Sequence, residues 1–174
     1  MRYSRIGLIV LIVLVTWSEL ATPAAAQTRR KTRRARSAAS NTQSDAVRTG
    51  ANRVADQIKT LSRFVYLLGG VARGIESADE AVRRNEAPPA VVQQTARNKE
   101  TVRTSLANVR QGLDDLEVYF RTTSALETFY SRLAGVAAGG ANAEDQAAAG
   151  HYDAAGKALL DVINRLTDVL LEMR

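Results

Sequence analysis

Few side chains in this 174-residue sequence could do chemistry, and their spacing limits what that chemistry is. His151 is the only histidine, with Asp153 two residues on. A structural or catalytic metal centre needs three or four ligands at regular spacing. The di-iron carboxylate bundles need two Glu-x-x-His pairs, which one histidine cannot supply. Haem held between His151 and Met173 fails on length, because the two would stand about 33 Å apart on one helix. His151 therefore reads as a surface or helix-start residue. There is no cysteine, so disulfides, thiolate metal sites, iron–sulfur clusters and thiol nucleophiles are excluded within the sequence.

The acids cluster as Asp114, Asp115 and Glu117, and again as Glu144 and Asp145. The first group reads as an exposed helix face. The second suits a helix N-terminus, whose dipole favours negative charge. General acid–base work needs a cleft and contrasting environments, and the sequence points to neither. No G-x-S-x-G elbow and no phosphate-binding glycine loop occurs. An enzyme is not expected, and no cofactor or metal is assigned.

The most concentrated charge is basic: Arg29, Arg30, Lys31, Arg33, Arg34 and Arg36. Residues 1–44 hold eight of the 24 Lys and Arg and one of the 18 acids, leaving 16 bases against 17 acids in 45–174. The net charge of +6 thus belongs to the N-terminal part, and the body is close to neutral. No aromatic residues interleave with the basic run, so nucleic acid is not the expected partner. A weak hold on an anionic membrane or envelope polymer, through Arg29–Arg36, fits better.

Ahead of that run, Arg2 and Arg5 precede a dozen mostly apolar residues from Ile6, followed by Ala24-x-Ala26. This is the layout of a secretory signal peptide over 1–26, cleaved after Ala26. The apolar stretch is short for a bilayer span, which takes about 20 residues. Positive charge is heavier behind the stretch than before it, about +6 against +3, which by the positive-inside tendency favours the alternative of an uncleaved anchor over 6–26. Residues 27–43 carry no apolar periodicity and read as a disordered basic linker.

The elements that would position any site begin after it. Val47, Ala51, Val54, Ile58, Leu61, Val65, Leu68, Ala72, Ile75, Asp79 and Val82 alternate spacings of four and three, a heptad seam over about 45–85 with Ser44 as its N-cap. Pro88 and Pro89 separate it from a second seam, Val92 through Phe120, which slips phase near Leu126 and is carried to about 138. Gly139 and Gly140 are expected to stop that helix and Asn142 to cap a third, 143–173. The fold class predicted for 44–174 is all-α, an up-down-up antiparallel three-helix coiled-coil-like bundle with long helices. Because the helices are unequal, 71–106 is expected to form a two-helix arm.

At the root of that arm Phe64, Tyr66, Leu67, Gly70 and Gly74 make the helix apolar nearly all round. Such a stretch is either covered by the third helix or offered to a protein partner or a second copy. Tyr119, Phe120, Phe129 and Tyr130 read as core, with a small apolar ligand pocket as the alternative. The function expected is that of a non-catalytic exported interaction or scaffold protein. The alternatives are a carrier of a small apolar ligand, and an anchored protein whose basic tail meets anionic lipid or nucleic acid.

Overall fold

The computed structural model describes the backbone from Ala24 and side chains from Ser40, in each case through Arg174. The signal peptide expected over 1–26 therefore lies, but for three residues, outside the described residues, as do the side chains of Arg29–Arg36. The chain divides into two units, Met1–Ser37 and Ala38–Arg174. Only the second carries a core among the described residues.

The described residues are helical and contain no strand: α1 (Ala24–Arg83), α2 (Pro89–Thr122), a single 3-10 turn (Ser124–Leu126), α3 (Glu127–Leu133), α4 (Val136–Ala148) and α5 (Tyr152–Glu172). The heptad seams face inward. Val54, Leu61, Leu68, Ala72 and Ile75 of α1 are buried. So are Val102, Leu106, Val109, Leu113, Leu116 and Phe120 of α2, and Tyr152, Ala155, Leu159, Val162, Leu166 and Val169 of α5. One contiguous apolar core results.

Four rods surround that core, where the sequence reading has three. Gln57 of α1 donates to the Gly112 carbonyl of α2 at 3.2 Å, and Asp79 pairs with Lys99 at 2.7 Å, so α1 and α2 are antiparallel. Glu117 of α2 meets Ala137 at the start of α4, and Arg110 meets Glu144 further along it. Gly139 of α4 faces Val162 of α5. Gly50 of α1 faces Met173, while Ala72 and Tyr152 line one groove at the other end of α5. Each neighbouring pair is antiparallel, and the order is up-down-up-down.

The extra reversal lies at the phase slip. Thr123 is extended (φ −100°, ψ 107°) and ends α2, so the slip is a boundary and not a change in coiling. It turns Leu126 inward onto α1, where the leucine is fully buried over Gly50. The next two breaks fall at glycines with positive φ, Gly135 (95°) and Gly150 (83°), a conformation that L side chains rarely adopt. At Gly150 the His151 N–H reaches the Gln146 carbonyl at 2.8 Å, closing α4 in the Schellman manner. Asn85 (φ 63°) ends α1 in the same way, with Glu86 N–H on the Ala81 carbonyl.

Several local expectations are corrected by this arrangement. Gly139 and Gly140 lie inside α4, as does Asn142. Close packing against Val162 and Leu113 holds the glycines helical despite their cost. Ser44 is not a cap: α1 passes through it, and its hydroxyl donates to the Ser40 carbonyl at 3.0 Å. Residues 40–43, assigned by the sequence reading to the linker, are helical, since extending an existing helix is far less costly than starting one.

α4 has no side chain of its own to cap it. Glu117, on α2, supplies the cap: its Oε1 accepts the N–H groups of Gly135 and Ala137, both at 2.8 Å. A carboxylate here satisfies two terminal donors and complements the helix dipole. Glu117→Ala is expected to lower stability by about 1–2 kcal/mol, with Glu117→Gln losing less. Urea unfolding of the two variants followed at 222 nm checks both the size and the order.

Candidate functional site

Several of the titratable side chains pair within the fold. Arg110 holds Glu144 at 2.9 Å and Asp114 at 3.4 Å, joining α2 to α4. Asp115 accepts from Gln111 at 3.0 Å. Glu144 and Asp145 lie in the second half of α4 and not at a helix start, because the helix begins at Val136. His151 is exposed at the N-terminal boundary of α5. Among the described residues no group of three or more His, Asp or Glu is placed to hold a metal ion. Tyr152, buried at the end of α5, has its hydroxyl pKa raised by that burial, against the opposing pull of Lys99.

The four aromatics lie at the other end of α2. Phe120 is fully buried and meets Tyr119 edge-on at 6.1 Å between centroids. The Arg53 guanidinium stacks 3.9 Å above the Tyr119 ring. Phe129 and Tyr130 pack against the core partly buried. All four take part in packing.

The α1 stretch singled out by the sequence divides in two. Val65 and Leu68 turn toward α5, and Phe64 is half-buried on the core. Tyr66 is 82% exposed and Leu67 56%. Apart from the adjoining residues and the backbone of α1 itself, no heavy atom lies within 4 Å of where a Cβ would stand on Gly69, Gly70 or Gly74. No other helix covers this face, because α5 and α2 flank it on either side. Between α1 and α5 runs an open groove of about 300 Å³ that includes Gly69, Gly156 and Leu160. Between α1 and α2 runs a smaller one, about 200 Å³, walled by Phe64, Leu67, Val71 and Val102.

The expected arm is shorter than 71–106. Tyr152 reaches the level of Ala72, so only the hairpin beyond it stands without α5. Within that hairpin the polar seam residues Asp79 and Lys99 pair with each other, and Thr95 is buried. Val82, Val91 and Val92 are each about two-fifths exposed near its tip.

The sequence reading missed the charges that surround Tyr66. Asp56, Lys59, Arg63, Arg73 and Glu76 are exposed on the outer face of α1, with Glu80 half-buried beside them and Arg83 exposed beyond. Asp56 pairs with Lys59 at 3.0 Å, and Glu80 pairs with Arg83. Arg73 folds back so that its Nε donates to the Gly69 carbonyl at 3.1 Å. The signal for this face was a second heptad stripe, half a turn from the buried seam.

No helix among the described residues is long and apolar enough to cross a membrane. Comparison of the sequence with protein-family models, with curated proteins and with solved structures finds no match in any of the three.

Proposed function

We propose that this protein is a non-catalytic, exported interaction module whose docking surface for another protein chain is the outer face of α1 around Tyr66 and Leu67. The observation that carries the reading is their exposure, 82% and 56%, beside glycines with open space above them. A tyrosine presents a large apolar ring with a polar tip, and contributes strongly where a partner covers it. Glycine neighbours let a second backbone approach closely. Export is supported by the basic, apolar and Ala-x-Ala layout of residues 1–26, and the run Arg29–Arg36 would add a weak, salt-sensitive hold on an anionic surface.

A photoreactive residue placed at Leu67 in the native host tests the surface. The expected result is a discrete covalent adduct with a protein chain, absent when the same residue replaces exposed Arg121. No adduct at position 67 above that control would overturn the surface assignment. N-terminal sequencing of the protein by cell fraction tests export: a chain beginning at Gln27 outside the cytoplasm is expected, and one retaining Met1 in the membrane fraction would overturn it.

A further inference from the structure

We infer that α4 is a strap: it lifts off α2 and α5 as one unit, turning about Gly135 and Gly150, while α1, α2 and α5 stay packed. Neither the motion nor its test depends on the α1 surface proposed above. The reason lies in how α4 is held. After Val136, its buried positions carry only alanine and glycine: Ala137, Gly140, Ala143 and Ala147. Among the described residues, the largest fully buried side chains come from α1, α2, α5 and residues 126–133, and α4 supplies only Val136. Apolar burial seats a helix in proportion to the area removed from water. By that measure α4 is seated less firmly than α2, which buries Leu106, Leu113, Leu116 and Phe120.

Gly139 and Gly140 let α4 lie close to Val162 and Leu113, but each also weakens the helix itself. A 13-residue helix with two glycines does not persist in water once it leaves its seat, so lifting and unwinding are one event. The polar holds are few. Glu117 caps the first turn, and Arg110 reaches Glu144 in a partly exposed pair, which adds little.

Both ends of the strap are anchored. Leu133 is fully buried ahead of Gly135, and Tyr152 is buried behind Gly150. The two glycines have positive φ and no β-carbon, so the backbone at either end can change its angles without a side-chain clash. What remains is closed on itself. α1 meets α2 through Gln57 and Gly112 and through Asp79 and Lys99. It meets α5 at Gly50 and Met173, and along the groove that Val65, Leu68 and Leu160 share. Lifting α4 leaves those contacts in place. It uncovers Leu113 and Val162, on the apolar faces of α2 and α5 that are buried when the strap is seated.

Hydrogen exchange of the full chain, followed amide by amide by NMR, is the first test. Residues 141–147 should exchange as a group, about a hundredfold faster than the slowest amides of α2 and α5 after correction for intrinsic rates. Their rates should rise little in low urea, because the opening exposes little surface. The second test uses the absence of cysteine from the sequence. Ala143→Cys and Ala155→Cys replace alanines that are both fully buried, one on α4 and one on α5. Under native conditions the thiol at 143 should react with an excess of thiol reagent about a hundredfold faster than the thiol at 155, each rate set against that variant's own global unfolding. In denaturant the two should react alike.

Exchange of α4 in step with α2 and α5 at every urea concentration overturns the inference, because α4 then opens only with the whole bundle. Fast exchange with the thiol at 143 as protected as that at 155 also overturns it, since the backbone then frays without leaving its seat. If either variant fails to fold, exchange of the parent chain decides alone.

Discussion

Phe120→Ala is expected to lower the unfolding free energy by about 3–5 kcal/mol, a large part of the 5–15 kcal/mol typical of a single domain. Phe120 is fully buried at the end of α2, where the chain turns into the 3-10 segment. Removing the ring deletes its transfer free energy and leaves a cavity. Leu126 and Leu133 of the same core are also fully buried, and a close-packed core has little freedom to fill a cavity. Tyr119 loses its edge-on partner in addition. Guanidinium unfolding followed at 222 nm, with the slope compared against the parent, measures the effect. A loss below about 1 kcal/mol would show that the end of the bundle relaxes freely, contrary to its packing. Tyr66→Ala, made at a side chain 82% exposed, should stay within about 0.5 kcal/mol in the same assay.

Gly140→Val is expected to cost about 2–3 kcal/mol, for the opposite reason. A Cβ at position 140 would stand 2.9 Å from Leu113 Cδ1 and 3.3 Å from the Arg110 Cα. Leu113 is itself fully buried, and a backbone atom has no rotamer to change, so α4 would have to move off α2. That movement would also lengthen the Arg110–Glu144 pair and the bonds that Glu117 makes to the start of α4. The contrast is Gly156→Ala, where nothing lies within 4 Å and the better helix former should add about 0.5–1 kcal/mol. Thermal unfolding of both variants distinguishes a glycine kept for close approach from one that merely punctuates the chain. Equal responses at the two positions would mean that α2 and α4 do not meet where the structure has them.

Helical class, the three long seams and the hairpin turn at Pro88–Pro89 were legible because they are periodic and local. Every third or fourth apolar residue of α5, from Tyr152 to Met173, was assigned to the core and lies there. The lapses at Asp79 and Lys99 were legible as irregularities, but the structure was needed to show that the two lapses pair with each other. Tyr66 and Leu67 were separable from the seam by phase, while their exposure depended on α5 and α2 packing to either side of that face and not over it.

What failed in the sequence reading failed at glycines and at the phase slip. Two adjacent glycines look like a stop, and a phase change looks like altered coiling. Whether Gly139 and Gly140 end a helix or let two helices touch depends on Val162 and Leu113, which are more than twenty residues away along the chain. The turns at Gly135 and Gly150 are set by positive φ, a backbone property that a glycine's identity permits without requiring. The sequence by itself determined the helices, their inward faces, the near-neutral body behind a basic segment and the absence of thiol chemistry. Only the tertiary structure decided that the chain reverses at Thr123, so that four rods and not three enclose the core. The physical reason is that periodicity records which face of a helix is buried. The fold back is governed by non-local packing: Leu126 seated over Gly50, and Glu117 capping a helix whose N-cap, Gly135, lies eighteen residues later.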